Sequence, residues 1–394
     1  MRFGRAMAFA ALALAVAGCE KKQEPAATGQ QQAAAPAASD TILIGHVASL
    51  TGEQATFGES TDNAIKLAIS EANAKGGVKG KKLALKTYDD QGKPEEAAVA
   101  ATRLIVQDKV AVLLGEVASS RSLAIAPIAD ANKVPQISPT STNPRVTKDG
   151  DKTRPYVFRV CFIDPFQGTV MAKFARENLK LKRVAILRDV GNDYSVGLAD
   201  YFTAKFKELG GEVVNDQSFK AGDQDFKAQL TTIKNKKPEL IYVPAYYTDV
   251  ALIGRQAREL GIKVPLAGGD GWDSAKLYEI AQGALDGSFF SNHYTHENPD
   301  PMIQNFVKKY QETYGSVPDA LAALGYDAAL VAIDAMNRAT DLTGPAIRDA
   351  IEKTKDFQGV AGKITLDANH DAVKSAVVIG IDKNVAKYVT TVEP

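Results

Sequence analysis

The feature that most constrains the fold of this 394-residue chain is the alternation of short apolar runs with longer amphipathic segments. The runs 41–45 and 110–115 are almost wholly apolar, which is typical of strands that are covered on both faces. Between such runs lie segments with apolar residues at helical spacing, such as 57–75, which ends at Gly76 and Gly77. Strands that alternate with helices in this order predict a parallel, doubly wound α/β sheet.

The alternation occurs twice along the chain. The first series has predicted strands at 41–45, 83–88, 110–115 and 134–138, and the second has them at 184–187, 212–214, 240–243 and 264–267. The length of the chain agrees with two lobes, because single domains commonly hold about 100–200 residues. We therefore predict an α/β protein made of two doubly wound lobes of similar build.

Strand-like segments are predicted to join these lobes. Residues 156–162 lead into the second series and residues 287–291 lead away from it, while 362–366 and 376–381 are predicted to form a terminal, hairpin-like pair. We therefore expect three hinge crossovers, which allow two lobes to close over a ligand. The predicted boundaries are 40–158 with 290–356 for lobe 1, and 159–289 with 357–394 for lobe 2.

The N-terminal segment is predicted to be a secretory signal of the lipoprotein type. Two arginines precede the apolar run 6–17, and Cys19 follows small residues. A transmembrane anchor is the alternative, but the run is too short, since a span needs about 20 apolar residues. Residues 1–18 are thus the predicted signal peptide, Cys19 the lipid attachment site, and 19–39 a flexible tether. We expect an extracytoplasmic, membrane-anchored protein.

Charge and cysteine content limit the classes of function. Lys+Arg and Asp+Glu both number 47, so the chain has no basic excess of the kind that binds nucleic acid. The cysteines are Cys19 and Cys161, so acylation of the first leaves no partner for a disulfide. Cys161 lies in a predicted strand, where a buried and inert thiol is the expected state.

Motifs that mark enzymes are missing from the sequence. It has no phosphate-binding loop, no Gly-x-Gly-x-x-Gly motif and no Gly-x-Ser-x-Gly motif. The four histidines lie at positions 46, 293, 296 and 370. His293 and His296 form the one close pair, but the asparagines and proline around them favour a surface loop over a metal site. We therefore predict no enzymatic activity, no cofactor and no metal.

Polar residues follow two neighbouring strands of the first series. Ser119 comes after the third predicted strand, and Thr140, Ser141 and Thr142 come after the fourth. Ligands of open α/β sheets bind beyond the carboxyl ends of the strands. This edge of the sheet suits a carboxylate. Hydroxyl groups and free backbone N–H groups can donate hydrogen bonds to it, and the start of the helix at Ser119 favours a negative charge. The alternative for each position alone is a helix N-cap at Ser119 and a turn residue at Thr142.

The corresponding positions of the second series carry Tyr194, Tyr246, Asp270 and Trp272. Asp270 is flanked by glycines, which let a backbone approach a ligand, and its carboxylate offers a negative charge to an ammonium group. Trp272 and the tyrosines are predicted to wall an apolar ligand side chain. A turn that only tolerates Asp in a left-handed conformation is an equally good interpretation of the glycines.

These residues resemble the periplasmic branched-chain amino acid binding proteins of ABC transporters, of the leucine/isoleucine/valine type. The matching segments, in order along nearly the whole body, are 45–52, 73–83, 88–90, 137–144, 255–258 and 268–272. The resemblance implies the type I periplasmic binding protein fold, also called a Venus-flytrap. It also implies a monomer that captures an amino acid, a branched-chain one in that family, and delivers it to an ABC transporter permease.

The resemblance also implies roles for individual positions. The α-carboxylate clamp is Ser119 and Thr142, the ammonium acceptors are the Thr140 carbonyl and Asp270, and the other contacts are Phe57, Tyr194 and Tyr246. Some relatives carry Glu where Asp270 stands, and some have a disulfide at the positions of Gly92 and Ala118. Two other functions remain open: a binding protein of the same fold for an amide, urea or aromatic acid, serving uptake or sensing, and an extracytoplasmic hydrolase, which no motif supports.

Overall fold

The computed structural model describes residues 41–394, so the predicted signal peptide, the tether and Cys19 lie outside the described residues. The strands are β1 (Thr41–Ala48), β2 (Lys82–Asp89), β3 (Val112–Leu114), β4 (Gln136–Ser138), β5 (Lys148–Asp149), β6 (Lys152–Thr153), β7 (Val157–Arg159), β8 (Arg183–Asp189), β9 (Glu212–Phe219), β10 (Leu240–Tyr242), β11 (Leu266–Gly268), β12 (Phe289–Asn292), β13 (Phe357–Gly359), β14 (Gly362–Ile364), β15 (Ala376–Asp382) and β16 (Val385–Val392). The helices are α1 (Ala55–Ala74), α2 (Pro94–Thr102), α3 (Ser119–Asn132), α4 (Asp164–Lys173), α5 (Asp193–Glu208), α6 (Lys227–Asn235), α7 (Tyr247–Glu259), α8 (Ala275–Ala281), α9 (Pro301–Tyr314), α10 (Ala320–Arg338) and α11 (Gly344–Glu352).

Two main sheets organise the described part of the chain. The first has the order β2-β1-β3-β4-β7 and is parallel throughout. The second has the order β16-β15-β12-β11-β10-β8-β9, and it is parallel from β12 to β9, with β15 and β16 added antiparallel. In each sheet the strand order reverses beside its first strand, β1 or β8, and such reversals open a crevice for ligands. The predicted pair of doubly wound α/β units is confirmed.

Apolar strands and helix faces build a separate core around each sheet. In the first sheet, β3 is wholly buried, as its unbroken apolar sequence predicts for a strand covered on both faces. In the second, Phe202 of α5 stacks on Tyr242 of β10 with ring centroids 3.8 Å apart. The helix α10 is long and apolar enough to cross a membrane, but 83% of its apolar stretch is buried inside the protein, which identifies it as a core helix.

The end of the chain differs from the sequence prediction. The predicted pairing of 362–366 with 376–381 is wrong, because β14 pairs with β13 and β15 pairs with β16. Gly362, at φ +107°, closes the tight β13–β14 turn in a conformation that favours glycine. This local turn brings β14 back onto β13 before the chain reaches β15.

The observed elements also bear on the lobe boundaries. Strand β12 pairs with β11 in the second sheet, so the chain leaves that sheet after Asn292. Val360 and Ile364 pack into the core around the first sheet. We therefore propose that lobe 1 comprises residues 41–159 and 293–374, and that lobe 2 comprises residues 160–292 and 375–394. These boundaries differ from the predicted lobe changes at 290 and 357.

Candidate ligand-binding site

A small cavity lies where the carboxyl ends of strands from both sheets meet. Its lining residues are Phe57, Val117, Ser119, Thr140, Tyr194, Tyr246, Asp270, Gly271 and Leu321. Six of the nine ligand-binding residues predicted from the sequence are in this lining, namely Phe57, Ser119, Thr140, Tyr194, Tyr246 and Asp270. The fold therefore brings together, at the strand ends where ligands of such sheets bind, residues that are up to 213 positions apart in the chain, from 57 to 270.

The first-sheet side of the cavity presents the start of a helix. Ala118 is the N-cap of α3 in an extended conformation, and no side chain caps the helix. The interpretation of Ser119 as a simple N-cap is therefore wrong, because Ser119 is the first residue of α3 and its hydroxyl accepts a hydrogen bond from the Asn143 N–H at 3.2 Å. The N–H groups of a first helical turn lack partners within the helix and carry a partial positive charge, so this side suits an anion.

Thr140 is oriented by its own hydroxyl group. The Thr140 Oγ1 donates to the Val117 carbonyl at 2.8 Å, which ties the ends of two neighbouring strands together. The hydroxyl proton of Thr140 is therefore donated to an acceptor within the protein. The backbone of Thr140 is thereby held at the cavity wall, where its carbonyl is the atom that the resemblance assigns to the ligand.

Three predicted ligand-binding residues lie outside the cavity lining. The Ser141 hydroxyl donates to the Glu116 carbonyl at 2.9 Å, and Thr142 is fully buried. Trp272 is also fully buried, and its Nε1 donates to the Val243 carbonyl at 2.9 Å. Hydrogen bonds hold the Ser141 and Trp272 side chains behind the cavity walls, so Trp272 belongs to the core of the second lobe and is not part of the cavity wall that we predicted.

The glycines around Asp270 serve packing. A Cβ atom on Gly269 would lie 2.5 Å from the Tyr194 hydroxyl oxygen, and one on Gly271 would lie 2.9 Å from a Tyr246 ring carbon. A Cβ on Gly268 would lie 2.1 Å from Trp272 Nε1. The absence of side chains therefore lets these aromatic groups approach the segment that carries Asp270.

Asp270 begins a short 3₁₀ turn directly after β11, and two side chains hold its carboxylate. Gln167 Nε2 donates to Asp270 Oδ1 at 2.6 Å, and His293 Nε2 lies 2.9 Å from Asp270 Oδ2. The prediction that His293 belongs to a surface pair is wrong, since this residue is only 4% exposed. Sequence reasoning missed both partners, although the position of His293 immediately after β12 was a signal that it lies at a strand end.

Burial decides the protonation of the groups around Asp270. Burial, together with the nearby charge of Asp270, raises the pKa of Asp164 to about 8, so Asp164 is mostly neutral at pH 7. Burial lowers the pKa of His293, although its pairing with Asp270 opposes this shift, so the imidazole is neutral at pH 7. Burial also raises the pKa of the Tyr194 hydroxyl, which stays protonated. Among residues 41–394, no cationic side chain lies in the lining of this cavity.

Aromatic rings form the apolar wall. Tyr194 and Tyr246 stack in parallel with centroids 5.3 Å apart, and Phe57 meets Tyr246 edge-on at 5.6 Å. The Tyr194 hydroxyl oxygen accepts a hydrogen bond from the Gly271 N–H at 3.1 Å, which fixes the ring beside Asp270. The cavity thus combines the start of helix α3, a carboxylate and an apolar wall.

A family model described as periplasmic binding protein matches residues 41–385 of the chain. The chain belongs to this family. Its Leu/Ile/Val-binding relative BraC3 of Rhizobium johnstonii is 33% identical over 350 residues, which cover 86% of this chain and 90% of that protein. The resemblance and the fold inferred from the sequence are confirmed.

Solved structures of binding proteins superpose on the chain. A leucine binding protein, LivK, from Thermotoga maritima matches with a TM-score of 0.85 and 44% identity, covering 90% of this chain and 99% of that one. The branched-chain amino acid transporter substrate binding protein LivJ from Streptococcus pneumoniae, in complex with isoleucine, matches with a TM-score of 0.85 and 33% identity, covering 90% of this chain and all of that one.

Hydrogen bonds that join α5 to α3 and to the segment after β4 bridge the cleft of this periplasmic binding protein. Asp193 Oδ2 accepts from the Ser120 hydroxyl at 2.9 Å, and the Asp193 carbonyl accepts from Asn143 Nδ2 at 2.8 Å. Arg145 pairs with Asp193 Oδ1 at 2.8 Å. We call this group of Ser120, Asn143, Arg145 and Asp193 the Asp193 latch. It joins segments of the two α/β units, so the structure has a closed cleft.

Other groups of the described residues have structural explanations. Cys161 is buried, as predicted, and it forms no disulfide with another residue of the described range 41–394, while burial raises the pKa of its thiol to about 12. Within residues 41–394, no cluster of three or more His, Cys, Asp or Glu side chains could hold a metal ion.

Proposed function

We propose that this chain is an extracytoplasmic solute-binding protein that captures a branched-chain amino acid and delivers it to the permease of an ABC importer. The observation that carries the proposal is the placement of the α3 N-terminus and Asp270 in one cavity, on opposite sides of a cleft. An α-amino acid is a zwitterion, with an anionic and a cationic group on one carbon. A cavity with an N–H-rich side and a carboxylate side complements both groups at once.

The rest of the lining favours an aliphatic side chain on the ligand. Phe57, Val117 and Leu321 offer apolar surface, and Tyr246 presents its ring. Burial of each aliphatic CH₂ group against such surface stabilises a complex by about 0.8 kcal/mol. Binding in the micromolar range, about −8 kcal/mol, is reasonable for a site of this kind. The names of the relatives agree with this ligand class.

A ligand panel measured by calorimetry tests the proposal. We expect leucine, isoleucine or valine to bind, and we expect 4-methylpentanoate and 3-methylbutylamine, which each lack one charged group of leucine, to bind at least about 30-fold more weakly. Binding of aromatic acids, amides or urea without binding of these amino acids would contradict the proposal. That result would favour the alternative function, a binding protein of the same fold for those compounds.

The Asp193 latch provides a prediction about closure. Asp193→Ala removes hydrogen bonds that exist only when the lobes are in contact, so we expect it to weaken amino-acid affinity about five- to tenfold by favouring the open form. Asp200→Ala is the matched control, because Asp200 lies on the same helix and pairs with Arg188 within the second lobe. Calorimetry and small-angle scattering together check the result. Unchanged affinity with an unchanged radius of gyration would show that the latch does not govern closure.

We further propose that the mature protein is a monomer anchored to a membrane by lipid on Cys19. The support for the anchor is the signal motif in the sequence. Cys19→Ser removes the thiol that carries the lipid. We expect this variant to appear in the soluble fraction of cells or to retain its signal peptide. A variant that stays fully processed and membrane-bound would contradict the anchor.

A further inference from the structure

The two oxygens of the Asp270 carboxylate each have one protein partner. Gln167 Nε2 donates to Oδ1 at 2.6 Å, and His293 Nε2 lies 2.9 Å from Oδ2. An ionised carboxylate accepts about four hydrogen bonds, so each oxygen keeps capacity for another donor. Asp270 lines the cavity, and this remaining capacity is available to a ligand there.

The geometry defines which nitrogen of His293 carries the proton. A neutral imidazole has one N–H and one bare nitrogen. With the proton on Nε2, the ring donates to Asp270. With the proton on Nδ1, two lone pairs would face each other across 2.9 Å, and the buried N–H would lack an acceptor, since Nδ1 has no hydrogen-bond partner among residues 41–394.

The ring of His293 is held in place from a different part of the chain. It stacks on Phe162 with centroids 3.6 Å apart and an interplanar angle of 25°. Phe162 follows β7 at the first crossover, while His293 follows β12 at the second. Both residues are buried, so the imidazole has little freedom to turn away from Asp270.

We propose that His293 is a positioning residue of the amino-acid site, whose Nε2–H fixes the Asp270 carboxylate for the ligand's ammonium group. This inference rests on the proposed function. It makes His293 a determinant of selectivity for ligands that carry an ammonium group. A carboxylate that is held by two donors cannot rotate away from the cavity to accept hydrogen bonds from other groups. Gln167 assists from α4, where a side-chain amide supplies the second donor.

His293→Phe separates this role from simple packing, because phenylalanine retains an aromatic ring to stack on Phe162 and removes the N–H. We expect the variant to bind leucine about 10- to 100-fold more weakly than the parent, the range for loss of a hydrogen bond to a charged group. Its affinity for 4-methylpentanoate, measured by direct titration at high ligand concentration, should stay within about twofold of the parent's. His293→Gln, which restores a donor, should recover part of the leucine affinity.

His370→Phe is the matched control. His370 is also buried, and its ring stacks on Phe158 at 4.1 Å, but it bonds the Val157 carbonyl and does not contact Asp270. We expect this variant to bind leucine within about twofold of the parent. Thermal unfolding of each variant in the full mature chain establishes that it is folded before its affinity is interpreted.

Several outcomes would overturn the inference. Equal losses for leucine and 4-methylpentanoate in His293→Phe would reduce His293 to a packing residue, and unchanged leucine affinity would remove any role. If His293→Phe does not fold, nitrogen NMR of the parent decides, since a proton on Nδ1 contradicts the proposal and a proton on Nε2 supports it. A parent protein that binds no amino acid would instead overturn the proposed function, and this inference with it.

Discussion

Asp270→Asn is expected to weaken leucine binding by at least about 30-fold, because truncation of a buried, hydrogen-bonded charge pair commonly costs about 2–5 kcal/mol. The substitution preserves the size of the side chain and removes the negative charge that faces the cavity. It also places an amide that can donate where the ligand's ammonium group requires an acceptor. Calorimetric titration with leucine measures the loss.

The matched control for this prediction is Asp151→Asn, which makes the same chemical change at an exposed position. We expect the control to bind leucine like the parent. We also expect Asp270→Asn to stay folded, because the Asn oxygen can accept from His293 Nε2–H, and the Gln167 amide can turn over so that its oxygen accepts from the Asn NH₂ group. Equal affinities of Asp270→Asn and the parent for leucine would contradict the proposal that Asp270 binds the ammonium group of the ligand.

Asp371→Ala is expected to lower the free energy of unfolding by about 3–5 kcal/mol, the range for breaking a buried ion pair from one side. Arg159 is fully buried, and its Nε lies 2.7 Å from Asp371 Oδ1. Its other nitrogens donate to the Ser141 carbonyl at 2.5 Å and to the Thr147 hydroxyl at 2.9 Å. Without Asp371, the guanidinium keeps its neutral partners but loses the charge that compensates it. Guanidinium chloride unfolding measures the effect.

Two further variants test the physical reason for this loss. Asp200→Ala breaks the exposed pair with Arg188 and is expected to change the free energy of unfolding by at most about 1 kcal/mol. The double substitution Arg159→Met with Asp371→Leu removes both charges and is expected to recover much of the stability lost in Asp371→Ala. A loss in Asp371→Ala no larger than that in Asp200→Ala would contradict the account of an uncompensated buried charge.

Local patterns in the sequence were sufficient to predict the architecture. Apolar runs such as 110–115 can be buried on both faces only within a covered parallel sheet, and the helical segments between them supply the cover. The rule that ligands bind at strand ends then located Ser119, Thr140 and Asp270, which the structure brings to one cavity. The prediction of the architecture succeeded because secondary structure and strand direction follow from short-range periodicity.

The errors concern contacts between distant segments. The surface role predicted for His293 rested on its polar neighbours in the chain, but its environment is made by Phe162 and Asp270, which are 131 and 23 positions away. The predicted role of Trp272 in the cavity wall had a similar weakness, since an indole at a strand end can face either the cavity or the core. The partner that decided its direction is the Val243 carbonyl, which follows the neighbouring strand β10.

The order of residues along the chain therefore determined which elements form, how they alternate and at which edge of the sheets polar groups collect, because these properties depend on neighbours within a few residues. Only the folded arrangement decided which of those polar groups face the cavity and which form hydrogen bonds with other groups in the protein interior. It also decided that Gln167 and His293 hold Asp270, since a buried polar side chain must find its hydrogen-bond partner wherever the packing of distant segments places one.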